Sequence, residues 1–348
     1  MAQEPIRVGI AGLGRSGWDI MVSLLAPMTE KYKIAAVWSR NPDRQKEARE
    51  KLGCRIWSKW EDLVRDEDLE VIIVTTPNHM HASNTIEALD AGYHVVCEKP
   101  MATSLAEADA MIAAAKRTGR NLTIFQNSRY RPMFRKVKEV VESGVLGRIV
   151  MIKQYRHVFS RRWDWQTLKS FGGGMLNNYI AHSLDMVLEL VDDDAPFEIF
   201  CKMDKVMTLG DAEDHVKLVL KAPGQPTIDL EASYCVAYGE LEWQVWGTRG
   251  GLVQGSWNTL KWKWFDPKDL PPRELTAEPI PDRSYPSEEM PWKPEEIWTA
   301  PRYADQMHPD FYADLYETIR NGAPNPVTPE SVRKRIAIFD KCHAMCPV

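Results

Sequence analysis

Lys99 stands in the run Cys97-Glu98-Lys99-Pro100, at the end of a short apolar stretch. His182 stands in Gly172-Gly173-Gly174-Met175-Leu176-Asn177-Asn178-Tyr179-Ile180-Ala181-His182-Ser183-Leu184-Asp185. An ammonium can hydrogen-bond an oxygen and offset charge as that oxygen loses its proton. Imidazole titrates near neutrality, so it can take up and return that proton. Pro100 biases Lys99 away from the helical region, so the lysine projects from a strand end. At about 100° per residue, Asn178, His182 and Asp185 share an arc of ~60° on one helix face. Burying such groups without partners costs ~1–3 kcal/mol each, and a pocket would supply the partners. We expect a substrate site of Lys99, Asn178, Tyr179, His182 and Asp185, with Lys99 and His182 as its catalytic pair. Trp163 and Trp165, just before the glycine run, add flat apolar faces suited to the C–H faces of a sugar ring.

A second constellation has the form of a phosphate cradle. Gly12-Leu13-Gly14-Arg15-Ser16-Gly17 places G-x-G-x-x-G between an apolar run and a helical pattern. The first glycine allows the tight turn, the second lets backbone N–H groups reach a pyrophosphate, and the third lets helix and strand pack closely. A dinucleotide site is expected. An acid that would hold the 2′-hydroxyl of NAD is expected at the end of the second strand, where this chain has Ser39 followed by Arg40. A hydroxyl and a guanidinium suit a 2′-phosphate, so NADP is favoured and NAD stays open.

Stepping outward, these groups need strand ends and a helix to hold them. Apolar runs at 6–11, 34–38, 71–75, 94–97 and 122–125 alternate with helical spacing at 16–27, 43–52, 80–91 and 105–118. That alternation predicts a doubly wound parallel α/β sheet over residues 1–126. Thr76-Pro77-Asn78-His79-Met80-His81 and Glu98-Lys99-Pro100 then lie at carboxyl ends of parallel strands, where open sheets place ligands. Another helix is expected over 131–143. Beyond it the pattern predicts a strand at 148–158, a helix to about 191, and strands at 197–206, 215–221, 227–236, 241–247, 251–256 and 260–265. These follow one another through turn signals, so an α+β domain with a large, open, mainly antiparallel sheet is expected over 127–348. Ten prolines between Pro267 and Pro309 argue for a long loop or an assembly arm, and helices near 310–320 and 329–344 close the chain.

Composition narrows the function. Lys plus Arg is 44 against 49 for Asp plus Glu, a net charge of −5, which argues against a nucleic-acid surface. No apolar run has the ~18–20 residues needed to cross a bilayer, and no basic leader followed by an apolar stretch opens the chain. The six cysteines form no CxxC pair, which fits a reducing cytoplasm. Cys342, His343 and Cys346 lack a fourth ligand nearby, so no metal is expected.

Taken together, GLGRSG, TPNHMH, CEKP, GGGMLNNYIAHSLD, WGTRGGL at 246–252 and NPVTPE at 325–330 resemble the glucose–fructose oxidoreductase/inositol dehydrogenase/MocA (Gfo/Idh/MocA) family over nearly the whole chain. The resemblance implies a Rossmann domain, NAD(P)-dependent redox at a carbinol of a sugar, cyclitol or related polyol, and a C-terminal sheet that builds homodimers or homotetramers. It makes Lys99 the catalytic lysine and His182 the acid/base. It also brings Thr76, Pro77, Asn78, His81, Glu98, Lys99 and Asn127 toward the cofactor. One departure stands out: Asn178 replaces an aspartate usual in the family's dehydrogenases. It orients a hydroxyl but holds no negative charge. Two other functions stay open on that ground: an enzyme with a retained cofactor that forms a transient keto sugar for elimination, hydrolysis or transfer, and a non-catalytic NADP-binding sensor.

Overall fold

Short Val/Ile runs that must be covered on both faces become parallel strands. In the computed structural model, which describes residues 4–256, 258–275, 285–301 and 309–347, six such strands form the first sheet. They are β1 (Ile6–Ala11), β2 (Tyr32–Trp38), β3 (Arg55–Trp57), β4 (Val71–Val74), β5 (His94–Glu98) and β6 (Leu122–Phe125). Their order is β3-β2-β1-β4-β5-β6 and every pair is parallel. The direction of winding therefore reverses between β1 and β4, which opens a crevice at their carboxyl ends. The sequence pattern did not predict β3, a three-residue edge strand whose Ile56 and Trp57 are only partly buried.

The helices between these strands begin and end where local chemistry directs. Asn41 Oδ1 accepts from the Asp43 and Arg44 amides to open Pro42–Leu52, and Gly53, at φ 60°, ends it. Ser104 Oγ does the same for Leu105–Thr118. Two segments, Ser16–Val22 and Leu176–Ile180, are wound as π-helix before continuing as Ser23–Leu25 and Ala181–Leu188. Such wide turns are uncommon and concentrate at functional sites. Here one follows the glycine turn and the other carries Asn178.

The second sheet contains β7 (Ile149–His157), β8 (Glu198–Asp204), β9 (His215–Lys221), β10 (Thr227–Ser233), β11 (Trp243–Gly247), β12 (Gly250–Ser256), β13 (Thr259–Trp264) and β14 (Glu296–Thr299). Its order is β14-β13-β12-β11-β7-β10-β9-β8. Successive strands pair antiparallel with two exceptions, β7 with β8 and β10 with β11. β10 and β11 are not neighbours, because β7 lies between them, parallel to β10 and antiparallel to β11. The helix Ala181–Leu188 packs across β7 and β10, so the covered centre of the sheet is where β7 gains neighbours on both edges. β14 corrects the reading of the proline-rich stretch as one loop or arm, since four of its residues pair with β13. Trp257 and residues 276–284 and 302–308 lie outside the described residues.

Helices Pro309–Asn321 and Pro329–Met345 return to the first sheet. Phe311 and Tyr312 are fully buried, and the Phe311 ring meets Phe125 of β6 edge-on at 4.8 Å between centroids. Tyr32 Oη donates to the Tyr312 carbonyl at 2.7 Å. One core thus runs through both halves. Among the described residues no helix is long and apolar enough to cross a membrane.

Candidate active site

The glycine turn lies at the end of β1. Gly12 has φ +108°, a conformation that side chains resist, and a Cβ on Gly17 would fall 1.9 Å from the Gly12 carbonyl. Thr75 Oγ1 donates to the Ala11 and Gly12 carbonyls at 3.0 and 2.8 Å and fixes the turn, a role no motif revealed. An added Cβ on Gly14 would meet nothing within 4 Å, so this side of the turn is open to a phosphate. Leu13 is turned into the core, while Arg15 is exposed beside the opening. Ser16 Oγ donates to Glu98 Oε1, which joins the turn to the end of β5. At the ends of β4 and β6, the Thr76 hydroxyl and Asn127 Oδ1 are buried without a protein partner. An open glycine turn and orphaned oxygens beside it fit a dinucleotide. The end of β2 is polar but not acidic. Ser39 is buried and its Oγ accepts from the Asn41 amide at 3.2 Å, while Arg40 is exposed with no ion-pair partner among the described residues.

Two residues expected near the cofactor have other contacts. Asn78 Nδ2 donates to the Gly172 carbonyl at 2.8 Å, tying the end of β4 to the glycine run of the second half, while Pro77 before it stays partly exposed. His81 is corrected from the sequence reading. Its ring is 1% exposed and lies between the Pro100 and Thr76 carbonyls, at 2.7 Å from Nδ1 and 2.8 Å from Nε2. Burial pushes its pKa down, so the ring is a neutral clasp between the β4 and β5 loops rather than a cofactor ligand.

Lys99 crosses from the first sheet to the helix of the second half. Its Nζ donates to the Asn178 carbonyl at 2.9 Å, one helical turn before His182. Loss of water is the largest influence on the ammonium. Glu98 opposes it, while the charges of Arg131, Arg15 and Arg162 add to it, and the pKa is pushed down to about 8. Glu98 itself is buried, which pushes its pKa up against the pull of Ser16 and Lys99. His182 Nδ1 lies 2.7 Å from Ser128 Oγ. Ser128 is a second residue the sequence reading did not single out, and it orients the imidazole from the segment after β6.

Around this pair the predicted residues divide. Asn178 is buried. Its Nδ2 donates to the Gln166 carbonyl at 3.1 Å, and its Oδ1 has no protein partner. Tyr179 packs edge-on against Tyr234, and the guanidinium of Arg156 stands 5.6 Å from the Tyr179 ring centre. Trp165 lies 6.2 Å from Phe171, and Trp163 is 76% exposed. Asp185 does not belong to the pocket, which is a further correction. It has no accessible surface, and its carboxylate is held by Arg129 at 2.7 and 2.8 Å and by Arg335 at 3.0 Å. The three-residue step from His182 to Asp185 does turn the carboxylate to nearly the same helical angle, but it is one turn deeper and meets buried guanidinium groups. Glu213 was missed. It is buried under the glycine run, its Oε1 accepts from the Leu176 amide at 3.0 Å, and burial pushes its pKa up to about 7.

Comparison with known proteins agrees with this arrangement. Residues 6–126 match the model of an oxidoreductase family with an NAD-binding Rossmann fold, and residues 134–253 match the GFO/IDH/MocA C-terminal domain. A levoglucosan dehydrogenase of Pseudarthrobacter phenanthrenivorans is 32% identical over 48% of this chain and 44% of its own length. An NADP-linked scyllo-inositol 2-dehydrogenase of Bacillus subtilis is 29% identical over 54% of this chain and 52% of its own. The chain therefore spans about half the length of each of these two relatives. The crystal structure of an NAD-binding protein from Listeria innocua superposes with a TM-score of 0.81 at 22% identity, over 99% of this chain and 98% of that one, and so shares its fold. With both halves matched, and with the strand-end lysine bonded to the segment that leads into the helix of His182, the chain belongs to the Gfo/Idh/MocA family of oxidoreductases.

Proposed function

We propose that the protein is an NAD(P)-dependent dehydrogenase acting on a ring carbinol of a sugar, cyclitol or related polyol, with NADP as the favoured cofactor. The observation that carries this reading is the bond from Lys99 Nζ to the Asn178 carbonyl, four residues before His182 in the chain. Gly12 and Gly14 would hold the pyrophosphate while Gly17 packs the helix against the turn, Ser39 and Arg40 would hold the adenosine ribose, and Thr76 and Asn127 polar groups nearer the reacting end. When bound, the dinucleotide supplies a hydride acceptor. Lys99 donates a hydrogen bond to the carbinol oxygen and stabilises negative charge there as the C–H and O–H bonds break. The proton passes to His182, whose ring is steered by Ser128, and the product is a ketone at the same carbon. His81 and Asn78 act at one remove by holding the strand-end loops against the glycine run.

The test mixes purified protein with NAD and NADP separately against sugars, cyclitols and glycosides while nicotinamide absorbance is followed. His182→Ala and Lys99→Ala should each cut turnover by ~10²–10⁴-fold while cofactor binding, read by fluorescence, is retained. Full activity in both variants would remove the site assignment. Asn178 supports a second reading, in which the cofactor never leaves and the keto sugar is transient. Nucleotide that copurifies, with turnover in its absence from the buffer, would select it.

A further inference from the structure

We infer that Glu213 is a positioning residue of this site: from beneath the glycine run it holds the first turn of the site helix, and so sets where the Asn178 carbonyl meets Lys99. This inference rests on the dehydrogenase reading and adds to it a residue that acts through others rather than on the substrate.

The site helix has no cap of its own. It is entered through Gly172-Gly173-Gly174-Met175, none of which carries a hydroxyl, amide or carboxylate, and no local side chain bonds the amides that open Leu176–Ile180. Glu213, 37 residues from Leu176 along the chain, supplies acceptors for two of them. Its backbone carbonyl accepts from the Met175 amide at 3.0 Å, and its Oε1 accepts from the Leu176 amide at 3.0 Å. The fit is close. Gly174 has φ +106°, and a Cβ there would collide with both carboxyl oxygens of Glu213. The support behind Glu213 is firm as well. The Asp214 carboxylate accepts from the Val206, Met207 and Thr208 amides at 2.6, 2.8 and 2.6 Å, and the Asp214 carbonyl accepts from the Tyr234 amide at 2.9 Å.

From Leu176 the constraint reaches the reacting groups within one turn. The Asn178 amide donates to the Gly174 carbonyl at 2.9 Å. The Gln166 carbonyl accepts from the Gly174 amide at 2.9 Å and from Asn178 Nδ2 at 3.1 Å. Lys99 Nζ then meets the Asn178 carbonyl at 2.9 Å. Without the Glu213 side chain the Leu176 amide is buried and unpaired, and the turn is free to drift from Lys99. An ammonium that loses its acceptor gives up its proton more readily. Displacements of about 1 Å at a reacting centre cost ~10²-fold in rate. Lys169 and Asp214 act by charge on Glu213, and Glu98, Arg15, Arg131 and Arg162 act by charge on Lys99, so the control is a variant that removes charge but keeps the acceptor.

The experiment reads Lys99 directly. Acetylation by acetic anhydride at a series of pH values, with mass spectrometry of the Lys99 peptide, gives the pKa of that amine without any turnover. Glu213→Ala should bring it roughly half a pH unit or more below wild type, while Glu213→Gln should stay with wild type. Glu213→Asp, which draws the carboxylate back by one methylene, should follow Glu213→Ala and takes its place if thermal melting shows the alanine variant unfolded. In polyol oxidation, kcat should fall about tenfold in Glu213→Ala and recover in Glu213→Gln, with NADP affinity unchanged by fluorescence. A Lys99 pKa unchanged or raised in the alanine and aspartate variants, or lowered equally in Glu213→Gln, would overturn the inference. A Lys99 that answers to Glu213 in a protein that oxidises no polyol removes the dehydrogenase reading alone. Polyol oxidation with a Lys99 indifferent to Glu213 removes this inference alone.

Discussion

Lys99 is largely buried at the end of β5, where loss of water pushes its pKa down to about 8. With its pKa near 8, the ammonium that must donate to the oxygen is lost as pH rises through that value. In the direction of carbonyl reduction, kcat/KM should therefore fall above about pH 8. Lys99→Arg keeps its charge to high pH, so the break should disappear from its profile even if its rate is low. A break at the same pH in both proteins would assign it to another group. Ser39 permits a second test. Ser39→Asp places a carboxylate where a 2′-phosphate would lie while keeping an acceptor for the Asn41 amide. Preference should move from NADP toward NAD by roughly tenfold or more, measured as the ratio of kcat/KM for the two cofactors.

At the scale of elements, the helix with its wide first turn depends on the carboxyl beneath it. Glu213 binds its proton more tightly in the folded protein than in the unfolded chain, where its pKa is 4.5. Between about 4.5 and about 7 the folded state therefore holds more protons, and stability falls as pH rises across that window. Glu213→Gln keeps an acceptor for the Leu176 amide and should flatten the dependence, as read from urea denaturation at a series of pH values. An unchanged slope would show that the carboxyl does not titrate there. The same element marks how far the sequence could be read. Lys99 and His182 were legible because each lies in a short run whose neighbours fix its direction, Pro100 after one and three glycines before the other. Ser128 and Arg162 were not, since their partners His182 and Tyr234 lie 54 and 72 residues away along the chain. Asp185 was placed at the right angle and the wrong depth, because helical periodicity gives direction around an axis but not what lies beneath it. The parallel sheet was read nearly whole from its apolar runs, while β3 and β14 were missed because short edge strands carry little pattern.

Across the whole molecule, helices cover one face of the second sheet and leave the other open. On the open face Lys153 stands 4.6 Å over the ring of Trp246, and Phe200 and Ile297 are 59% and 60% exposed. We propose that this face joins copies of the chain into a homodimer or homotetramer. Trp246→Glu should then lower the mass measured by light scattering while leaving the first sheet's cofactor affinity unchanged. A wild-type protein that is monomeric at high concentration would discard the idea. The fold also joins its two halves behind the pocket. Arg335, in the first half of the final helix and 1% exposed, bonds Asp185, Glu189 and Asp193 on and after the helix that carries His182. The sheet that bears the glycine turn waits for the end of the chain as well, because Phe311 and Tyr312 complete its core against Phe125 and Tyr32. During synthesis, therefore, both halves are finished together, when the last two helices have been made.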